Sequence, residues 1–269
     1  MNRLRLAAIA LTAVSLVVCA AQAATEAEAA AGRALVKRYA DAIVGVEMVV
    51  TLKIKQGDRE APPQERRVDV NGTVISSSGL TVTSLAAVDP QSAFEAMRAA
   101  GQRVELVGAD FKEVKLRLAD GTEVPARFVL KDSDLDLAFI APDTAADATK
   151  REFPFVDLNQ GTTAEIYGSF YYIARAPKAM QRVPLSRLTA VLGVIEKPRR
   201  VYLMTDQGIG TPVFDGAGRI LGITFQYFAN NRPAGFVVLP AEDIGEMAKQ
   251  AAAAQAAPTP STEPAPETK

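Results

Sequence analysis

The sequence contains a series of short segments in which polar and apolar residues alternate, separated by Gly, Pro and Asp turns. The clearest is a hairpin in which Val114–Leu118 and Val124–Leu130 flank the dipeptide Asp120-Gly121, because Asp-Gly favours a tight two-residue turn. A polar, Ala-rich stretch, Asp143–Lys150, separates one set of such segments from a second set. Many short strands in two sets predict two antiparallel barrels or sandwiches.

The same periodicity predicts the remaining elements. Strands are expected at Glu47–Ile54, Val68–Ser76, Asp136–Ile140, Thr163–Ile173, Leu188–Ile195, Val201–Thr205, Pro212–Phe214, Ile220–Tyr227 and Phe236–Leu239. Helical spacing is found at Glu26–Ile43, Gln91–Gly101 and Ala241–Ala252, and Gln56–Arg67 is predicted as a polar loop.

The start of the chain has the features of a secretory signal peptide, predicted over residues 1–24. Arg3 and Arg5 precede the apolar run Leu6–Ala21, and Ala21-Gln22-Ala23 provides a small-x-small cleavage site. An uncleaved membrane anchor and lipidation at Cys19 remain alternatives. If the signal peptide is cleaved, a membrane is expected as a partner only if Cys19 is lipidated. The chain is therefore expected to be exported, to the periplasm or the extracellular space.

These patterns predict a division of the chain into five parts. They are a signal peptide (1–24), an N-terminal helical segment (25–42), a first barrel (43–150), a second barrel with a closing helix (151–255), and a disordered tail rich in Pro, Thr and Glu (256–269).

Composition excludes several classes of function. The sequence has no histidine and one cysteine, which excludes Ser-His-Asp and Cys-His catalysis and zinc sites built from those ligands. A formal net charge of −1 leaves no basic footprint for nucleic acid. Acidic residues such as Asp132 and Asp134 lack the spacing of a calcium loop. No metal and no cofactor are expected, and no nucleic-acid partner.

Three segments, in order, resemble the HtrA (Deg) family of trypsin-like serine proteases. The first is Gly72–Asp89, GTVISSSGLTVTSLAAVD, in which the family's histidine position falls on Ala86. The second is Val114–Ile140, VKLRLADGTEVPARFVLKDSDLDLAFI, which places the triad aspartate at Asp136. The third is Gly208–Ile223, GIGTPVFDGAGRILGI, in which the nucleophile position is Ile209.

The resemblance implies an all-β fold of two antiparallel six-stranded barrels of the trypsin type, with short N- and C-terminal helices. It covers roughly Ile43 to Ile244, and the residues after Leu239 are too few for a PDZ domain, so none is expected.

Departures from the family pattern predict loss of catalysis. Ala86 cannot accept a proton and Ile209 has no oxygen for attack, so two of the three triad roles have no chemical group. Thr205-Asp206 also runs almost directly into Gly208-Ile209, which shortens the loop expected to hold an oxyanion. A Ser-Lys dyad using Ser84 and Lys131 is the remaining route to hydrolysis. The chain is predicted to be a pseudoprotease.

A trypsin-like fold without catalysis can still bind an extended peptide by strand addition. The resemblance places the pairing strand at Phe225-Gln226-Tyr227, although these aromatic residues fit a barrel core equally. The expected partner is an extended peptide or an envelope protein. The alternatives are a hydrolase with an unconventional or residual site and a regulatory subunit of an active protease, and homo-oligomerisation stays open.

A basic cluster, which includes Arg182 and Arg199, fits a solvated face or an acidic partner.

Overall fold

A computed structural model describes residues 25–57, 59–147, 149–205, 208–229 and 232–256. The predicted signal peptide with Cys19 lies outside the described residues. So do Asp206 of the predicted shortened loop and, after Ala256, the predicted tail.

Strands of the first half form a sheet in the order β2-β1-β3-β4-β7-β6-β5, and additional pairing of β1 with β5 closes six of them into a barrel. Their bounds are β1 Ile43–Gln56, β2 Arg59–Glu60, β3 Gln64–Val74, β4 Thr81–Ser84, β5 Val104–Arg117, β6 Glu123–Asp132 and β7 Leu137–Pro142.

Strands of the second half form a closed barrel in the order β10-β13-β12-β11-β8-β9. Their bounds are β8 Ser169–Arg175, β9 Pro184–Ile195, β10 Val201–Met204, β11 Pro212–Phe214, β12 Ile220–Ala229 and β13 Arg232–Pro240. All strand pairs in both sheets are antiparallel. The predicted fold of two six-stranded antiparallel barrels is confirmed.

The strand β1 is central to the first barrel, and alternate side chains along it are buried. Val44, Val46, Met48 and Val50 point into the core, and β1 pairs along its length with both β3 and β5. Two register shifts in the β1–β5 pair, at Val49/Val50 and Lys53/Ile54, mark bulges. Because bulges bend a strand and increase its twist, they help a two-stranded ribbon of this length to curve into a barrel.

The helices lie at the ends of the chain and beside the first barrel. Their bounds are α1 Glu26–Tyr39, α2 Leu85–Val88, α3 Pro90–Ala99 and α4 Ala241–Ala256. Thr25 and Glu28 form a reciprocal capping box that starts α1. A 3₁₀ turn, Ala40–Ala42, then leads directly into β1.

Contacts of α1 are with the second barrel rather than with the strand that follows it. The Tyr39 ring stacks on Phe214 with centroids 4.2 Å apart, and its hydroxyl donates to the Gly218 carbonyl at 2.9 Å. The Tyr171 hydroxyl donates to the Glu28 carbonyl at 3.0 Å. From the other end of the chain, α4 reaches the first barrel, where Arg127 Nη2 donates to the Gln255 carbonyl at 3.2 Å. Both terminal helices therefore connect the barrels.

Some element boundaries differ from the sequence-based expectation. The strand predicted from Thr163 begins only at Ser169, because Glu165–Gly168 forms a turn. The predicted loop Gln56–Arg67 contains β2 and the start of β3, which pair with β1. The short strand β4 was not predicted, since it is only four residues long and buried at every position, so no exposed face marks it.

Candidate functional site

Asp136 lies in the turn between β6 and β7, at the triad-aspartate position of the resemblance. Its backbone has a φ of 59°, which non-glycine residues seldom adopt. The Asp136 carbonyl accepts from the Leu85 N–H at 2.8 Å, which fixes the turn against the start of α2. The residue is only 3% exposed, so its carboxylate lies away from solvent.

Three donors from three elements surround that carboxylate. The Ala86 N–H, in α2, donates to Oδ1 at 2.6 Å. The Gln226 N–H, in β12 of the second barrel, donates to Oδ2 at 2.9 Å. The Ser84 hydroxyl, at the end of β4, also donates to Oδ2. Two backbone amides and a hydroxyl thus satisfy the carboxylate, and one of them crosses between the barrels.

Burial dominates the electrostatics of this acid. It raises the pKa of Asp136 to about 6, although the hydrogen bonds from Ser84, Ala86 and Gln226 pull that pKa downward. The group is therefore ionised at pH 7 and takes up a proton under mildly acidic conditions.

Ala86 contributes its backbone to the site and only a methyl group to the space beside it. A cavity of about 270 Å³ opens next to Asp136, lined by Ala86, Leu85, Glu95, Ser133, Asp134 and Phe228. None of these side chains is an imidazole or a lysine that could act as a base at neutral pH.

Ile209 lies half-buried in the loop that precedes β11. The following residue, Gly210, donates its N–H to the Thr224 carbonyl at 2.8 Å and accepts from Thr73 Oγ1 at 2.8 Å. Gly210 has a φ of +67°, and a Cβ there would lie 2.4 Å from the Asn71 carbonyl oxygen. Only glycine fits this close approach, which holds the loop between the two barrels.

The predicted peptide-binding residues lie in the middle of β12. This strand pairs with β13 from Gly222 to Ala229, so one of its edges is already used. Phe225 is 1% exposed and belongs to the core, whereas Tyr227 is half-buried. Gln226 turns its N–H away from β13, towards Asp136. The side chain of Phe225 therefore has a structural role, and the outward edge of the strand is at Gln226.

A second cavity, of about 290 Å³, runs beside the same strand. It is lined by residues 225–228 together with Leu135, Val201, Val237 and Leu239, with Arg199 and Asp134 as its charged members. Phe228 and Asp134 line both cavities. The site thus combines a buried acid, a strand edge and two adjoining cavities.

The sequence indicated the positions of Ala86, Asp136 and Ile209 but not their connections. Gln226 is 90 residues from Asp136, and its donor is a backbone amide, so no side-chain pattern could reveal the contact. The Thr83 hydroxyl, which donates to the Asn71 carbonyl at 2.8 Å, was also missed. Its position in a fully buried strand gave no local signal.

A family model described as "Trypsin-like peptidase domain" matches residues 70–223, more than half of the chain. The chain belongs to the trypsin-like peptidase family. The matched stretch includes Ala86, Asp136 and Ile209, and the predicted superfamily is confirmed.

Among solved structures, the apo crystal structure of the MamO protease domain from Magnetospirillum magneticum is similar at 17% identity. Its TM-score is 0.48, over 78% of this chain and 97% of that chain. No curated protein matches this trypsin-like chain.

In the part of the chain that the structure describes, no three Asp, Glu, Cys or His side chains are grouped so that they could hold a metal ion. None of the helices described there has the length and hydrophobicity needed to span a bilayer.

Proposed function

We propose that this trypsin-like chain is a catalytically inactive, exported pseudoprotease that binds an extended peptide or an envelope protein. The observation that carries the proposal is the filled environment of Asp136. The carboxylate that orients a histidine in an active protease is bonded here to Ser84, Ala86 and Gln226. The sequence contains no histidine that could take their place.

The chemistry of the family explains why these positions matter. A serine protease needs an imidazole to deprotonate its nucleophile and an aspartate to hold that imidazole in the correct tautomer. Aligned with those roles, Ala86 has no titratable group and Ile209 has no nucleophilic atom. Removal of the nucleophile or the base alone lowers kcat by about 10⁶ in a well-studied serine protease.

The alternative Ser-Lys dyad has little geometric support. The Ser84 hydroxyl is buried and donates to Asp136. Lys131 Nζ lies 2.8 Å from Asp89 Oδ2 and 4.5 Å from the centroid of the Phe128 ring. These contacts place the Lys131 ammonium on Asp89 and Phe128, and the Ser84 hydroxyl is bonded to Asp136.

A binding role is supported by the cavity of about 290 Å³ beside β12. Main-chain hydrogen bonds along a strand edge need no particular side chain, so strand addition can persist without a catalytic triad. The aliphatic and aromatic lining of the cavity suits an apolar side chain of such a peptide. Export rests on the leader-like residues 1–24, and membrane attachment would require lipidation at Cys19.

The test is one incubation of the purified protein with a proteome-derived peptide library. Retained peptides and newly cut ends are both identified by mass spectrometry. We expect no new ends and a set of retained peptides that is lost in Phe228→Asp, which introduces charge into both cavities. Leu192→Asp is the matched control, because Leu192 is 53% exposed on β9 and lines neither cavity.

Two outcomes would contradict the proposal. New ends that disappear in Ser84→Ala would show hydrolysis at the Asp136 site and overturn the pseudoprotease assignment. If nothing is cut and nothing is retained, the peptide-binding half of the proposal fails. A folded partner, such as an active protease that this chain regulates, would then be sought by co-purification.

A further inference from the structure

The outward edge of β12 carries few main-chain groups that a peptide could use. In an antiparallel pair, the N–H and C=O of one residue point to the same side, and successive residues alternate. Thr224 points away from β13, and both of its groups are taken, since its N–H donates to Thr211 O at 3.0 Å and its C=O accepts from Gly210 N. Gln226 is the next outward residue, so strand addition begins there.

The N–H of Gln226 is already bound by Asp136 Oδ2, 2.9 Å away. We propose that the Asp136 carboxylate is an internal competitor for the peptide-binding edge of β12: it holds the Gln226 N–H in the free protein, and an extended peptide takes that N–H when Asp136 is protonated. This inference rests on the peptide-binding function proposed above and adds its regulation by pH.

The cavities support a competition at this contact. Gln226 lines the cavity of about 290 Å³ and Asp136 lines the cavity of about 270 Å³. Asp134 and Phe228 line both cavities, so the two cavities adjoin. The Asp136–Gln226 hydrogen bond therefore links a residue of one cavity to a residue of the other. A peptide strand laid along Gln226 would enter the region that this bond now spans.

Protonation provides the release. Burial raises the pKa of Asp136 to about 6, so the carboxylate holds the amide above this pH and becomes a neutral, weaker acceptor below it. The other charged groups that line its cavity are Glu95 of α3 and Asp134 of the β6–β7 turn. Its direct partners on β4, α2 and β12 are uncharged. Lys131, on β6, is paired with Asp89.

The size of the effect follows from linkage. Loss of one hydrogen bond to a charged acceptor changes an equilibrium by about tenfold to a hundredfold. Because peptide binding would cost the carboxylate one of its donors, the bound protein holds a proton on Asp136 more tightly than the free protein does. Peptide affinity is therefore expected to rise by about tenfold to a hundredfold between pH 8 and pH 5.

The first measurement needs no ligand. In protein labelled with ¹⁵N-glutamine, the Gln226 amide proton should shift as the pH is lowered, with a midpoint near pH 6, as its carboxylate acceptor is lost. The shift should be absent in Asp136→Asn and unchanged in Asp120→Asn, an exposed acid in the β5–β6 turn. An amide that does not titrate in the parent protein overturns the proposal without reference to any variant.

The second measurement uses a peptide retained from the library, with its affinity determined at pH 5 and pH 8. We expect tighter binding at pH 5 for the parent protein and Asp120→Asn, and equal affinity at both pH values for Asp136→Asn. If the Gln226 amide titrates but the peptide affinity is the same at pH 5 and pH 8, the proposed competition is overturned, whereas peptide binding itself stands. An amide that titrates with no peptide bound at either pH would overturn the peptide-binding function and, with it, this regulation.

Discussion

Burial of Asp136 disfavours the ionised form of its carboxyl group. Its partners are two amides and a hydroxyl, with no cation among them. Because burial raises the pKa of Asp136 from its ordinary value of 3.8 to about 6, the folded protein binds a proton at this site more tightly than the unfolded chain does. Asp136 therefore stabilises the fold fully below pH 3.8, and this contribution is lost as the pH rises through 6.

This linkage predicts a difference in pH dependence between the parent protein and Asp136→Asn. A difference of about two between the pKa of Asp136 in the folded protein and in the unfolded chain corresponds to about 3 kcal/mol. Between pH 4 and pH 7.5 the free energy of unfolding of the parent should therefore fall by up to about that amount relative to Asp136→Asn. Urea unfolding at several pH values measures it. Parallel pH profiles for the two proteins would contradict the raised pKa.

A second residue-scale prediction concerns two glycines with positive φ. Gly121, at +85°, has nothing within 4 Å of an added Cβ, whereas Gly210 faces the Asn71 carbonyl and Thr83 Oγ1. Gly121→Ala should cost about 1–2 kcal/mol through backbone strain alone. Gly210→Ala should cost about 2 kcal/mol more, because it also overpacks the interface between the barrels. Equal losses in the free energy of unfolding would show that Gly210 is not confined in this way.

Among the elements, the β8–β9 hairpin attaches the second barrel to the first through two arginines. Arg175 Nε, at the end of β8, donates to the Ile43 carbonyl at 2.8 Å. Arg182, with a φ of 51°, extends its guanidinium to Glu47 on β1 and Asp69 on β3, each at 2.6 Å. Its side chain is 12% exposed. A residue expected from sequence to lie on a basic surface is therefore largely buried in an ion pair.

The contribution of this ion pair can be measured against an exposed one. Arg182→Met should cost about 1–3 kcal/mol, less than a fully buried pair because Glu47 keeps its contact with Arg117. Arg200→Met is the matched control, since Arg200 pairs with Glu196 on the surface and should lower the urea midpoint much less than Arg182→Met does. The urea midpoints of the two variants show whether the Arg182 ion pair contributes more to stability than the Arg200 ion pair. Similar midpoints would mean that Arg182 adds little to the attachment of the hairpin, which Arg175 also provides.

Elements were predictable where local chemistry specifies them. The Asp120-Gly121 turn marks the β5–β6 hairpin, and β11 occupies the predicted residues Pro212–Phe214. The strand β4 was not predicted because it is only four residues long and pairs on both sides, so its polar Thr and Ser residues are buried rather than exposed. Likewise, the triad position of Asp136 could be predicted, but its hydrogen bond from a distant strand could not.

At the scale of the whole molecule, one apolar cluster passes through both barrels and both terminal helices. Its buried members include Leu35 of α1, Ile43 and Phe139 of the first barrel, Phe214 and Phe225 of the second, and Ile244 of α4. Neither barrel can lose its structure without exposing part of this shared core. The protein should therefore unfold as one cooperative unit.

Coincident unfolding transitions would test this cooperativity. The chain has no Trp and six Tyr, and every Tyr lies in α1 or in the sequence of the second half. Tyrosine fluorescence thus reports on α1 and the second barrel, while far-UV circular dichroism reports on both barrels. We expect the same urea midpoint from both signals. A fluorescence transition separated from the dichroism transition would show that the barrels unfold independently.

The docking of α1 has a consequence for how the chain acquires its structure. This helix is made before either barrel, yet its contacts Tyr171, Phe214 and Gly218 are about 140 to 180 residues further along. Contacts at such separation close large loops and form slowly. Until the strands of the second barrel have been synthesised, the apolar face of α1 lacks these partners, and a chaperone would act on this early segment for a long time.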